Sequence, residues 1–267
     1  MLVVNDNSGL ARSDNVVTLE ASPFAKRGAL HIARRPFVHF ADMRNFAFAQ
    51  LGALAVPPDW VLFLDADEVH GAQLRYIARD IAPAVAADVG NIDAYTYHFF
   101  GTYRWITDIA RRMVLYRYRP EIYWENAVHE KIVGLRGRAL VLPYVYHHYG
   151  NVVPAAALAL KHERYYALGG AMPSHSAPGA ATLDVYVAKA AGARRYRAPH
   201  PAVARPTLAR CEADFAPELA AVEAAFRAAR SPAVNVANFT RAALETLRVQ
   251  LRRVQHPLAY RAPTRGR

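Results

Sequence analysis

The chain has 267 residues, 53% of them hydrophobic and 21% charged, which is the balance of a globular protein with one large domain or a core and an appendage. A single cysteine, Cys211, excludes a disulfide scaffold and a cysteine-rich zinc module. No apolar run reaches the roughly 18–20 residues of a membrane span, and no signal-peptide pattern opens the sequence, so a cytoplasmic protein is expected. The net charge of +11 is lopsided: residues 1–188 hold 18 Lys+Arg against 17 Asp+Glu, and residues 189–267 hold 15 against 5.

Leu2-Val3-Val4 reads as a buried strand running into the turn formers Asn5-Asp6-Asn7-Ser8-Gly9, and residues 16–19 as a second short strand. Phe40, Met43, Phe46, Ala47 and Leu51 recur near a 3.6 period and predict a helix over 40–54, stopped by Pro57-Pro58. Trp60-Val61-Leu62-Phe63-Leu64 has the continuous apolar character of a strand covered on both faces. A helix is expected over 72–82, strands over 92–100, 111–118 and 139–146, and a helix over 155–168. The Pro-rich stretch 171–209 reads as a linker with a short helix at 182–191. Amphipathic helices follow near 212–229 and 238–254, within a basic helical extension over 210–256, and residues 257–267 read as a disordered tail. Helix, stop and buried strand in this order imply an α/β layer architecture.

Asp65-Ala66-Asp67-Glu68 follows the most apolar strand directly. Three carboxylates in four residues repel one another unless a cation joins them, and ligands of open α/β sheets collect at the carboxyl ends of strands. In extended chain Asp65 and Asp67 face the same side and can share one hard cation, Mg²⁺ or Mn²⁺, which also takes phosphate oxygens. A solvated acidic turn is the competing reading. An Asp-x-Asp phosphatase is a third, weakened by the lack of a suitable later acidic pair.

Asp42-Met43-Arg44-Asn45-Phe46-Ala47 and Asp59-Trp60-Val61-Leu62-Phe63-Leu64-Asp65-Ala66-Asp67-Glu68 are similar to glycosyltransferase family 2. Arg112-Met113-Val114-Leu115-Tyr116-Arg117, Trp124-Glu125-Asn126-Ala127-Val128-His129-Glu130 and His148-Tyr149-Gly150 resemble the same family in the same order, as does Lys161-His162-Glu163-Arg164-Tyr165-Tyr166. The resemblance covers residues 1–170. It implies a GT-A, Rossmann-like mixed sheet and an inverting, metal-dependent transfer from a nucleotide-sugar donor to a glycan, lipid-linked or protein acceptor in cell-envelope glycan synthesis. Asp65, Asp67 and His148 would then hold Mn²⁺ or Mg²⁺. Asp6, Arg44, Asp65 and Glu68 would bind the donor, and Arg112 and Trp124 the acceptor. Glu130 would be the catalytic base, with His129 as its competitor. Against these roles stand ordinary ones: ion-paired scaffolding for Arg44, Arg112 and Glu130, a buried structural histidine for His148, a core tryptophan for Trp124.

The family pattern also leads to an expectation about the N-terminus. Val3-Val4-Asn5-Asp6-Asn7-Ser8 stands where a second strand is expected, so the sheet would lack its first βα unit, on the order of 30 residues. A misassigned start, a fragment, or a non-catalytic nucleotide- or sugar-binding paralogue would each account for that. In the basic tail, Phe215, Phe226 and Phe239 are spaced for helix cores, which argues against nucleic acid. Arg248, Arg252 and Arg253 fit either a solvated helical face or contact with anionic lipid at the inner face of a membrane.

Overall fold

The computed structural model describes residues 2–6, 14–153, 155–169 and 193–228, together with 240, 244, 247, 248 and 251. It is a mixed α/β structure whose strands pair in both parallel and antiparallel fashion. Two compact units emerge: residues 1–61, 117–136 and 165–171 in one, residues 62–116, 137–164 and 172–267 in the other.

In the first unit β1 (Leu2–Asp6) pairs in parallel with β2 (Leu30–Arg34), Leu2 opposite Leu30 and Asp6 opposite Arg34. A parallel pair needs a crossover connection, and α1 (Asp14–Glu20) with α2 (Pro23–Lys26) supplies it. Residues 16–19 therefore belong to a helix and not to the strand their β-branched composition predicts. Val16 is buried and Val17 exposed, as one face of a crossover helix requires. α3 (Phe40–Gly52) matches the expected helix; His39 caps it, its Nδ1 accepting the Asp42 N–H at 3.1 Å. Ala41, Met43 and Phe48 are its buried face. β7 (Tyr123–Glu125) and β8 (Lys131–Val133) form an antiparallel pair beside it.

The chain enters the second unit at the end of β3 (Trp60–Leu62), where the Phe63 N–H donates to the Val114 carbonyl. The apolar run to Leu64 thus outlasts the strand by two residues, and Leu64 is exposed. β4 (Glu68–Val69) follows, then α4 (Gln73–Tyr76), which widens into a π-turn at Ile77–Ile81 and tightens at Ala82–Ala84 ahead of the next strand. β5 (Val89–Phe100), β6 (Thr102–Arg117), β9 (Arg138–Asn151) and β10 (Arg194–Arg195) complete a sheet in the order β10-β6-β5-β9-β4. β5 runs antiparallel to β6 and parallel to β9. Gly101, at φ 69, makes the tight turn between β5 and β6. β6 begins nine residues before the predicted strand at 111, because bulges at His98/Phe99 and Phe99/Phe100 break the simple alternation.

α5 (Ala155–Ala167) is as expected. Pro206 misleads in the linker: it sits in the first turn of α6 (Arg205–Asp214), where its missing N–H costs nothing. The helix predicted near 212–229 is broken at Phe215 into α6 and α7 (Ala216–Ala228). α7 packs on the sheet through a cluster of Phe100, Trp105, Leu158, Ala193, Val222 and Phe226. The predicted helix at 182–191, most of that at 238–254 and the tail at 257–267 lie outside the described residues.

Candidate functional site

The acidic segment is a turn. The Glu68 N–H donates to the Asp65 carbonyl at 3.0 Å, and the Glu68 Oε2 accepts the Asp65 N–H at 3.3 Å. Asp65 and Asp67 therefore do not share a side by strand alternation, as extended chain would have arranged. Glu68 lies in a strand; its carboxylate closes the turn and stands 3.4 Å from His70 Nε2. His70 is fixed in turn by Tyr144, whose hydroxyl is 3.1 Å from its Nδ1, and by stacking on Tyr146.

Antiparallel pairing of β4 with β9 puts Glu68 opposite His148, and the Tyr149 N–H holds the Asp67 carbonyl at 2.9 Å. These bonds bring the Asp67 side chain to His148. Asp67 Oδ1 lies 3.5 Å from His148 Nε2, and that oxygen is buried without a hydrogen-bond partner although the side chain as a whole is 40% exposed. Gly150 leaves room for the other carboxylate oxygen: a Cβ there would stand 2.1 Å from Asp67 Oδ2. Lys161 sits behind, its Nζ donating to the Gly150 carbonyl at 3.0 Å and to Asn151 Oδ1 at 3.2 Å. Burial lowers the Lys161 pKa, while Asp67 and Asp65 pull it upward.

β5 contributes His98, paired in register with His148; the two Nδ1 atoms are 3.2 Å apart. One must donate and the other accept. Burial, with His148 and Arg112 nearby, pushes the His98 pKa down to about 4, so it is neutral at pH 7. A His148 that offers the Nε2 lone pair to a cation carries its proton on Nδ1 and donates it to His98, the usual outer-sphere support of a histidine ligand.

The alternate residues of β5 and β9 form a different environment. His147 stacks on Phe99, Phe99 on Tyr149, and both strands meet Tyr196 and His200. His147 Nε2 is 2.8 Å from the Tyr196 hydroxyl, and the Tyr149 hydroxyl is 2.7 Å from His200 Nδ1. Burial, with His200 and His70 nearby, pushes the His147 pKa down to about 4, and burial with Tyr97 nearby raises that of Tyr196 to about 12. Of the two adjacent histidines, His148 faces Asp67 and His147 belongs to this aromatic layer.

Among the described residues, no group of three or more His, Cys, Asp or Glu side chains converges on one point, so Asp65, Asp67 and His148 do not form a closed three-ligand set. Asp67 and His148 nonetheless suit an open divalent site. Two ligands of a cation at roughly 2.1 Å each are about 3.0–3.5 Å from one another, and Mg²⁺-type sites take one or two protein ligands beside phosphate and water. The buried Asp67 oxygen, without a hydrogen-bond partner, and the space beside Gly150 are consistent with that use.

In the first unit α3 aims Arg44 and Asn45 at the β7–β8 hairpin. Asn45 grips the Trp124 backbone twice, donating to its carbonyl at 2.9 Å and accepting its N–H at 2.7 Å. The Arg44 guanidinium lies over the Trp124 ring, 4.9 Å from its centroid, and forms an ion pair with Glu130. Both charged side chains are mostly buried. The connection between the strands holds two non-glycine residues at positive φ, Asn126 (70°) and His129 (56°). Such conformations cost about 1–3 kcal/mol each and collect at functional sites. Glu130 is thus presented from a strained loop and held by Arg44, while His129 is exposed. Asp6 ends β1 opposite Arg34. Arg112 is exposed on β6, in the second unit, where its charge reaches His98 and Tyr146.

A scan against models of known protein families and a search of curated proteins each return no match. The assignment of chemistry therefore rests on the residues. His98 and Lys161 were given no role by sequence reasoning. His98 is joined to His148 only by strand register across 50 positions, a signal no local pattern carries. Lys161 lies within a motif and has no chemical mark of its own until α5 is placed against Gly150.

Proposed function

We propose that the chain is a GT-A-type, metal-dependent inverting glycosyltransferase that moves a sugar from a nucleoside-diphosphate donor to a hydroxyl of a glycan, lipid-linked or protein acceptor. The observation that carries this reading is the Asp67–His148 pair, with one buried carboxylate oxygen lacking a partner beside an imidazole nitrogen at 3.5 Å. It stands in the turn that follows the apolar strand, where the family resemblance puts its metal-binding acid. A divalent cation, when bound, offsets the charge that develops on the departing diphosphate. Asp67 and His148 hold it, Gly150 leaves the carboxylate its room, and His98 fixes the imidazole. The family resemblance would make Glu130 the base and Trp124 the acceptor platform; both belong to the first unit, where Arg44 is ion-paired with Glu130.

Transfer or hydrolysis of UDP- and GDP-sugars with Mn²⁺, compared with the Asp67→Ala variant, tests the reading. Loss of activity by about 10²-fold or more is expected, the scale of removing one electrostatic stabiliser. Full activity in Asp67→Ala overturns the metal role. The Arg44–Glu130 ion pair favours a second reading, a nucleotide- or sugar-binding module, since it gives that carboxylate a structural task. Metal-dependent binding of a nucleoside diphosphate, with no transfer in wild type and unchanged binding in Glu130→Gln, selects that alternative.

A further inference from the structure

α5 buries Leu158 in the core of the second unit, against Phe100, Trp105 and Phe226. Lys161 stands three residues later on the same side of the helix, so the face that meets the sheet carries a lysine. Inward helical positions ordinarily hold apolar residues, and a half-buried ammonium gives up hydration that its bonds must replace. Lys161 Nζ donates to the Gly150 carbonyl at 3.0 Å and to Asn151 Oδ1 at 3.2 Å. Both acceptors are neutral, and a glutamine amide could donate to either. These two bonds do not explain why the group carries a charge.

The carboxylates that act on this charge are those of the acidic turn. Gly150 connects the two groups: Nζ meets its carbonyl, and Asp67 Oδ2 fills the space where a side chain would start. Nζ is thereby no more than about 10 Å from Asp67 Oδ2. That is about one Debye length at physiological salt, and partly buried charges are screened less than exposed ones. Asp67 and Asp65 both favour the charged lysine, against the effect of burial. Glu68 and Arg112 act on neighbouring His98 with opposite signs. Asp65, Asp67 and Lys161 together leave one net negative charge. A divalent cation turns this into one net positive charge, and Lys161 repels the bare ion. A phosphate group on the ion restores the balance and is attracted by both cations.

We propose that Lys161 couples the two ligands of this site, weakening the bare divalent cation and strengthening the nucleoside diphosphate that binds with it. The proposal rests on the metal-site reading of Asp67 and His148. Lys161 is a positioning residue that acts through its field and need not touch the substrate. The test is isothermal titration of the full chain with Mn²⁺ alone, and with UDP and GDP in the presence of Mn²⁺. Lys161→Gln keeps an N–H for Gly150 and removes the charge. In it Mn²⁺ alone should bind at least about fivefold tighter and the diphosphate at least about fivefold weaker, the low end of coupling between two ligands. Lys161→Arg should return both affinities toward wild type. A lysine that only fastens α5 to β9 would weaken both ligands and lower the urea midpoint in Lys161→Gln. Affinities that fall together or stay unchanged therefore overturn the coupling and leave the metal site standing, as does a wild type that binds Mn²⁺ but neither diphosphate. No Mn²⁺ binding by wild type overturns the metal-site reading and the proposal with it. Should Lys161→Gln not fold, Lys161→Met takes its place, and failure of both to fold assigns the lysine to the fold and overturns the proposal.

Discussion

Replacing Gly150 with alanine perturbs the proposed metal site by one methyl group. The new carbon would lie 2.1 Å from Asp67 Oδ2, 3.0 Å from Asp67 Cγ and 3.0 Å from His148 Cε1. Carbon and oxygen atoms rest at about 3.5 Å, so the carboxylate must retreat by more than about 1 Å. The Asp67 backbone cannot follow, because its carbonyl is held by the Tyr149 N–H. The side chain is 40% exposed and can rotate into solvent. That rotation is cheap, and alanine loses less chain entropy than glycine in a strand, so folding stability should change by less than about 1 kcal/mol. Mn²⁺ affinity should fall at least about tenfold, the lower end of what losing even an outer-sphere partner costs. Isothermal titration with Mn²⁺, run beside urea denaturation on wild type, Gly150→Ala and Asp67→Asn, measures both quantities. Unchanged Mn²⁺ affinity in Gly150→Ala would refute the reasoning that the carboxylate beside Gly150 is a ligand. A joint loss of affinity and several kcal/mol of stability would show that the fold, and not the site, requires the glycine.

Two further predictions concern buried polar groups. The Trp105 indole N–H donates to Glu223 Oε1 at 2.9 Å, and both residues are buried. Glu223→Leu should cost about 2 kcal/mol by stranding that donor, and Glu223→Gln less than about 1 kcal/mol; equal urea midpoints would exclude the bond as the anchor of α7. Burial raises the Asp93 pKa above 3.8, opposed by the Arg111 guanidinium at 2.8 Å and by Asn91. A raised carboxyl stabilises the native state fully below pH 3.8 and loses that contribution as pH rises through its native value. Asparagine mimics the protonated form, so the stability of Asp93→Asn relative to wild type should improve as pH is raised from about 3.5 to 7. A pH-independent difference in urea midpoint would contradict the sign.

Local pattern carried much of this fold. The period of Phe40, Met43, Phe46, Ala47 and Leu51 predicts α3, and the run from Trp60 locates the strand that precedes the acidic turn, though the strand stops at Leu62. It failed where tertiary demands override propensity: Val16 and Val17 are good strand residues, but a parallel β1–β2 pair needs a crossover and makes them helical. Pro206 looks like a breaker and serves as a helix start. The acidic cluster was legible in the sequence, but the arrangement of its side chains was not. Three acids in a row look like three equivalent ligands, because sequence records their charge and not the turn that sorts them. Once the turn closes, Glu68 accepts the Asp65 N–H and lies beside His70, so part of the repulsion is relieved by protein groups. Register puts Glu68 opposite His148, but it is Asp67, held through its carbonyl by the Tyr149 N–H, whose side-chain oxygen lies 3.5 Å from His148 Nε2 and is buried without a hydrogen-bond partner. Repulsion among the three acids first pointed to a cation, but the stronger reason for one is the single Asp67 oxygen that the turn leaves unsatisfied.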